Sequence, residues 1–479
     1  MKNVRNISSK WPNLPSLVLE NIFSNLDIID RYEASLVCTN WYSSYKSSKL
    51  STRLNLNILY SPKLIKLQAF LEKYLEKFSE DIKYLRINIC DGDLTDLGKY
   101  LLNFSFVSLF NQLCSSSNGK QLLELEIVNL KITNLPQFIS GDIEMIHALK
   151  QYLKTQNSIK CFSFKDSDIP DEITFSIVET MLNNCFKCIE TLRFCRIFEK
   201  IETYESKKFV NLFSNLVNLK EIEINYHYLS KELLVKIIES AKYLKVMKLY
   251  INSFMNKSEN TSVNNNDNTS SLAHYTKNSI SSHIWNYVYA YHPNLQVTFI
   301  YEDCGVDFIN LLKLTINNDV RLQHLFIKWA YIRMHLFKSQ FSEISTNFCN
   351  TLKTFDVSLF IKSKFDIQCL FEFVDLASKQ IETVIFKFDT DDLPLIEYSL
   401  QKFKRIIERL KFERHYYLKN LKKFHLFIDI SSIGEQFLVE FQKVFKKIDF
   451  NLSVEFSSKS KFLLTFCNFS IKNEYSIES

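Results

Sequence analysis

Apolar residues recur at Leu19, Ile22, Phe23 and Leu26, a spacing of three and four that lines one face of a helix. Pro15 suits the first turn of that helix, where its missing N–H is no loss. Asp27 and Asp30 interrupt the pattern and can cap a second helix. That helix has its own stripe of Ala34, Val37, Cys38 and Trp41. A third helix is expected over 42–49, and Leu54-Asn55-Leu56-Asn57-Ile58 alternates as a strand does. Helices this short cannot bury such faces against one another alone, so apolar surface is left for something else to cover.

Downstream, one pattern recurs: apolar-x-x-apolar-x-apolar, preceded by a helical stretch. It is clear at Ile82/Leu85/Ile87, Leu122/Leu125/Ile127, Ile159/Phe162/Phe164 and Ile189/Leu192/Phe194. Leu219/Ile222/Ile224 and Leu244/Met247/Leu249 continue it. The second half supplies Leu322/Leu325/Ile327, Leu352/Phe355/Val357, Ile381/Val384/Phe386 and Leu421/Phe424/Leu426. Looser copies lie at 295–299 and 450–456. Intervals are mostly about 25–30 residues, and each gap holds a helix-period segment such as Leu233, Ile237, Ile238 and Ala241. A strand and a helix at a roughly fixed period predict a solenoid of leucine-rich-repeat type, in which each unit buries its apolar face by stacking on its neighbours. A doubly wound sheet would also alternate strand and helix, but a dozen units without a Gly-rich turn disfavour it.

The N-terminal run resembles an F-box. Leu14-Pro15 comes first, then Ile22-Phe23-Ser24 with Leu26, a mid-motif Asp30, Val37-Cys38 and Trp41, in the family's order and spacing. Arg31 and Tyr32 follow Asp30, where family members usually carry Leu. The resemblance implies a three-helix domain over 11–53 that docks on the Skp-type adaptor of a cullin–RING ubiquitin ligase, with residues 54–479 selecting a protein substrate. It implies Leu14, Pro15, Leu19, Ile22, Phe23, Leu26, Val37, Cys38 and Trp41 as adaptor-binding and motif-core residues, without saying which do which. The repeats resemble the F-box-associated leucine-rich kind, with Phe and Ile often in place of Leu. The expected fold is thus α/β: an F-box followed by a curved solenoid with a parallel sheet on its concave face.

Composition narrows the function. With 479 residues, 46% of them hydrophobic and 41 of them Phe, the chain has ample apolar surface for a repeat array. A net charge of +6 lacks the concentrated basicity of a nucleic-acid binder. No apolar run reaches the length that spans a bilayer, and 1–10 lack a signal peptide's apolar core. Eleven cysteines scattered singly fit reduced thiols, so a cytoplasmic or nuclear location is expected. The Asn- and Ser-rich stretch at 255–271 reads as a disordered loop.

Candidate chemistry is sparse. Cys185 and Cys188 have knuckle spacing but no second ligand pair follows, so they read as packed thiols at a helix end. Asp389, Asp391 and Asp392 read as a solvated turn. Six isolated glycines form no phosphate cradle, and no nucleophile is paired with a base, so neither catalysis nor a cofactor or metal is expected.

The informative surface is the set of strand residues between the apolar positions, which alternate to the opposite face. Tyr84, Arg86, Glu124, Glu126, Thr191, Arg193, Glu221 and Glu223 supply it in the first half. Lys248, Tyr250, His324, Phe326, Lys328, Lys387, Lys423, His425 and Phe427 supply it later, so the face drifts from mixed-acidic toward basic and aromatic. Tyr84, Arg86, Arg193, Tyr250, Phe326, Lys328, His425 and Phe427 are the expected substrate contacts, because interface anchors are enriched in aromatics and Arg. Two other functions fit less well. One is a repeat scaffold acting outside a ligase. The other is an α/β hydrolase or transferase, which needs a pocket of polar groups with perturbed pKa values.

Overall fold

The computed structural model describes residues 11–58 (27, 48, 49 and 51 excepted), 71–89 (72, 77 and 78 excepted), 96–115, 122–130, 139–198 (168 excepted), 201–252, 280–302, 311, 315, 320–331, 351–360, 381–389, 423–429, 452–457 and 461–467. The stretch at 255–271, with Asp391 and Asp392, lies outside them. Two compact units divide the chain: Met1–Glu223 with Glu232–Leu244, and Ile224–Lys231 with Lys245–Ser479.

The first unit opens with a 3-10 turn, Trp11–Asn13, and three helices: α1 (Ser16–Ser24), α2 (Ile28–Ser35) and α3 (Thr39–Tyr45). Pro15 is the residue before α1, and Asp30 sits in the first turn of α2, where a carboxylate complements the helix dipole. The stripe from Ala34 to Trp41 is not one helix. Leu36 and Val37 form a turn on the carbonyls of Glu33 and Ala34, and Cys38 is fully extended ahead of α3. A helix-period pattern can therefore run through a break: Ala34, Cys38 and Trp41 stay half-buried, while the turn carries Val37 outward.

Five parallel strands follow in order: β1 (Arg53–Ile58), β2 (Tyr84–Ile89), β3 (Glu124–Val128), β4 (Cys161–Lys165) and β5 (Thr191–Cys195). Between them run α4 (Asp96–Ser115), α5 (Ile139–Thr155) and α6 (Asp171–Cys185), then α7 (Ile201–Glu205) and α8 (Lys207–Leu212). Ser206 caps α8 by accepting from Phe209 N–H. The three apolar positions of each repeat all lie in the core: Leu122, Leu125 and Ile127 are sealed, as are Ile159, Phe162 and Phe164. Phe162 meets Phe194 edge-on at 5.9 Å, which ties neighbouring repeats together.

Scarce glycine would seem to forbid tight exits from the strands. The exits are made instead by Asn129, Asp166 and Arg196, each directly after its strand and each left-handed, at φ of 58°, 54° and 53°. Asn and Asp tolerate that region better than other non-glycine residues. Backbone bonds hold the first two in place, Asn129 N–H to Lys165 C=O and Asp166 N–H to Cys195 C=O. Side chains continue the stack, Asn129 donating to Asn88 at 3.2 Å and Arg196 pairing with Asp166.

The boundary between units falls within β6 (Glu221–Asn225), and α9 (Lys231–Ser240) follows, burying Leu233, Leu234, Ile237 and Ile238. The second unit has six strands paired in parallel: β7 (Val246–Asn252), β8 (Gln296–Glu302), β9 (Leu322–Tyr331), β10 (Thr354–Phe360), β11 (Thr383–Asp389) and β12 (Lys423–Asp429). Helix α10 (Ser282–Tyr291) lies between β7 and β8 and buries Trp285 completely. Parallel pairing ends at β12. β14 (Lys461–Cys467) pairs antiparallel with it, and β13 (Leu452–Ser457) pairs antiparallel with β14. The loose apolar copy at 450–456 is therefore half of a hairpin rather than another repeat. Only a short connection separates β13 from β14, which suits a hairpin and is too short for a crossover helix.

Candidate functional site

On α1, Leu19 and Phe23 are 0% exposed and form the small core of the three helices. Trp41 and Tyr45 both meet Phe23 edge-on, and the Trp41 indole N–H donates to the Trp11 carbonyl. Asn40 donates to the Leu14 carbonyl at 2.9 Å, pinning the entry to α1 against α3. Leu14, Ile22, Leu26, Cys38 and Trp41 are half-buried, and Pro15 is exposed. Arg31 is buried and donates to the Leu26 carbonyl. Its charge bears on Tyr45 and on Tyr74, whose hydroxyl burial pushes up to about 12. An arginine at this position thus serves the interior of the three helices.

Several large apolar side chains are exposed as well. Leu17 is 65% exposed, Leu36 62%, Val37 60% and Trp11 61%, with Val18, Tyr32 and Tyr42 also exposed. Of the sequence candidates, Val37 and Pro15 are exposed, and Leu19 and Phe23 lie in the core. Leu17, Val18 and Leu36 were missed because the helical stripe points inward. The signal was available, since Leu17 and Val18 precede the stripe and Leu36 precedes Val37 as a second apolar residue that the stripe does not use.

The outward side of the first unit's strands is a charge ladder. Arg86, Glu126, Ser163 and Arg193 lie in register on β2 to β5. Arg86 Nε pairs with Glu126 at 3.2 Å, and Arg193 Nε pairs with Glu223 at 3.3 Å. Lys165 reaches Glu223 from the other side at 2.8 Å. Glu223 was expected to face solvent, yet it is buried, as is Ser163. Glu223 is short relative to the arginine and lysine side chains that reach it from Arg193 and Lys165. Burial works against the Arg193 charge, but Glu223, Glu221 and Glu124 help to hold its pKa above the ordinary value. Tyr84 is half-buried with the Arg53 guanidinium over its ring, 4.7 Å from the centroid. Glu223→Ala is expected to lower unfolding free energy by roughly 2 kcal/mol, since two cations lose their shared carboxylate and solvent recovers part of that. Urea denaturation checks this, and a midpoint unchanged from the parent contradicts it.

The second unit's outward side differs. Tyr250, Ile300 and Phe326 lie in register on β7, β8 and β9, with Asp356 and then Ile385 continuing the row. Ile300, in the middle of the three, is nearly covered, while Tyr250 and Phe326 are half-buried. Beside them Lys248, Thr298 and His324 form a second row, and Glu302 and Lys328 a third, paired at 3.4 Å. Tyr250, Phe326 and Lys328, expected from strand alternation and side-chain type, thus lie on the same side of β7 and β9. Ile300 was missed because it lies in a looser repeat. His425 and Phe427 fall in β12, opposite Ile385 and Lys387.

Three of the described thiols are held in their protonated form by burial. Cys185 is buried and donates to the Gln156 carbonyl, and burial pushes it up to about 11. Burial likewise pushes Cys161 and Cys195 up to about 12, from an ordinary 9.0. Among the described residues no group of three or more His, Cys, Asp or Glu side chains could hold a metal ion, and no helix is long and apolar enough to cross a membrane. Raised thiol pKa values have a definite sign. The unfolded chain ionises first, so the stability they contribute is present below about pH 9 and is lost as pH rises toward 12. We expect iodoacetamide at pH 8 to leave Cys161, Cys185 and Cys195 unmodified in the native protein, as peptide mass spectrometry would show. Rapid labelling of any of them without unfolding would contradict this.

Residues 11–51 match the F-box domain family. The chain therefore carries an F-box domain at its N-terminal end, and the exposed apolar side chains of the three helices belong to it. A solved structure, that of the Rad7 and Elc1 complex in yeast, is similar at 11% identity with a TM-score of 0.33, covering 89% of this chain and 92% of that chain. A likeness that distant supports no statement about the function of this chain.

Proposed function

We propose that the chain is the substrate-recognition subunit of a Skp–cullin–F-box ubiquitin ligase. The observation that carries this reading is the exposure of Trp11, Leu17, Leu36 and Val37 on the F-box domain, large apolar side chains that the surface of another protein would cover favourably. By the family resemblance, Leu14, Pro15, Ile22, Leu26, Cys38 and Trp41 are adaptor-binding or motif-core residues as well. In this reading the cover is a Skp-type adaptor, which brings a cullin–RING assembly. The strand–helix repeats form a curved leucine-rich-repeat solenoid, and the outward strand residues hold a protein substrate. The chain's contribution is positional: tethering a substrate near a charged ubiquitin carrier raises its effective concentration, which requires no catalytic group or cofactor of its own. The setting is cytoplasmic or nuclear.

The test is reconstitution. The purified chain mixed with a Skp-type adaptor is expected to elute as a one-to-one complex that then recruits a cullin. An adaptor that elutes alone overturns the reading. A complex that never recruits cullin makes the chain a repeat scaffold acting outside a ligase.

A further inference from the structure

We propose that Arg31 is a positioning residue whose buried guanidinium joins α2 to the first repeat, so that the three F-box helices hold one fixed orientation on the strands behind them. The purpose of such a joint rests on the ligase reading, because tethering delivers a substrate only over a geometry that lets both ends engage.

An arginine is a costly choice at this place. Arg31 is 2% exposed, and a buried cation is tolerated only where hydrogen bonds and neighbouring dipoles replace the water it has lost. One replacement comes from within the helices, where the guanidinium donates to the Leu26 carbonyl at 3.2 Å. On the same side stands Tyr45 of α3, buried, its ring meeting Phe23 and Tyr32 edge-on at 6.3 and 6.2 Å. The other side of the cluster belongs to the repeats. Tyr74 is buried in a helical turn over 73–76, between β1 and β2 in the chain, and Leu71 and Leu75 are buried with it. Burial raises the pKa of both phenols, and the Arg31 cation acts against it on each, while the Asp81 carboxylate adds to it at Tyr74. One guanidinium thus bears on α3 of the F-box and on the first repeat together.

Apolar contact is present at the same junction. Helix α2 packs against β1, whose Leu54 and Leu56 are sealed. Such contact is non-directional and tolerates sliding. A guanidinium does not, because its donors form a rigid planar fork that only one seating of α2 satisfies. The three helices and β1 to β5 fall in one compact unit.

Double electron–electron resonance on the full chain tests this. Ketone-bearing residues placed at Ser43 on α3 and Glu179 on α6, both exposed, carry the spin labels and spare the native cysteines. The parent is expected to give one narrow distance distribution. Arg31→Met, which keeps the stem and removes the charge, should at least double its width, and Arg31→Lys should recover half or more of that loss. Tyr74→Phe should widen it less, and adding Tyr74→Phe to Arg31→Met should widen it no further, since both changes remove one shared interaction. Amide exchange in α1 and α3 should stay at the parent's level throughout, which separates a loosened joint from a melted F-box. A parent distribution that is already broad, an unchanged width in Arg31→Met, no recovery in Arg31→Lys, widths that add in the double variant, or lost protection in α1 and α3 would each overturn the inference. Adaptor capture on the unlabelled variants keeps the two proposals apart. It should match the parent's; capture lost in Arg31→Met alone would make Arg31 part of the adaptor site and overturn the inference, whereas its absence in the parent counts against the ligase reading alone.

Discussion

Leu36→Asp combined with Val37→Asp is expected to abolish capture of a Skp-type adaptor while leaving the fold intact. Burying a Leu or Val side chain at an interface is worth roughly 1.5–3 kcal/mol. A carboxylate forced into the same contact adds a desolvation cost of its own. Together the two changes remove at least about 4 kcal/mol, a thousandfold in affinity at 1.4 kcal/mol per decade. The fold should not notice, because both side chains stand in the turn between α2 and α3 at about 60% exposure. Surface changes of that kind typically shift stability by about 0.5 kcal/mol or less. Thermal melting and adaptor pull-down on the same preparation check both halves. Undiminished capture would remove this face from the adaptor contact.

Phe162→Ala is expected to have the opposite profile, a large loss of stability with no direct effect on the F-box face. Phe162 is fully buried, packs against Phe164 and meets Phe194 edge-on across β4 and β5. Removing a buried Phe leaves a cavity and costs about 3–5 kcal/mol, a large part of the roughly 5–15 kcal/mol that holds a domain folded. Because each repeat contacts mainly its neighbours, amide exchange should rise first in β3, β4 and β5. A denaturant midpoint that moves by less than the equivalent of about 1 kcal/mol would mean that the repeats do not share this core.

The core was legible residue by residue. The apolar-x-x-apolar-x-apolar pattern places its three side chains inside at every parallel repeat whose side chains are described, because a strand has only two faces and period two decides between them. The F-box was legible for a related reason, since its order of Leu-Pro, Ile-Phe, Val-Cys and Trp fixes which side chains meet. Where the reading stopped, the cause was an interaction between distant residues. Nothing local says that the stripe through Val37 and Cys38 breaks into two helices, because the break is set by α3 turning back so that Trp41 reaches Phe23 and Trp11.

The sequence by itself determined which positions are apolar and at what period, and hence the first helix of the F-box, the parallel strands and the inner face of each. Tertiary structure alone decided what the other faces are. It buried Glu223 under Arg193 and Lys165, gathered Tyr250, Ile300 and Phe326 into one row, and bared Leu17 and Leu36. The physical reason is that burial follows from a single side chain's transfer from water, which composition and period encode. A surface acquires its character only from which side chains become neighbours, and that depends on register between strands some 25 or more residues apart.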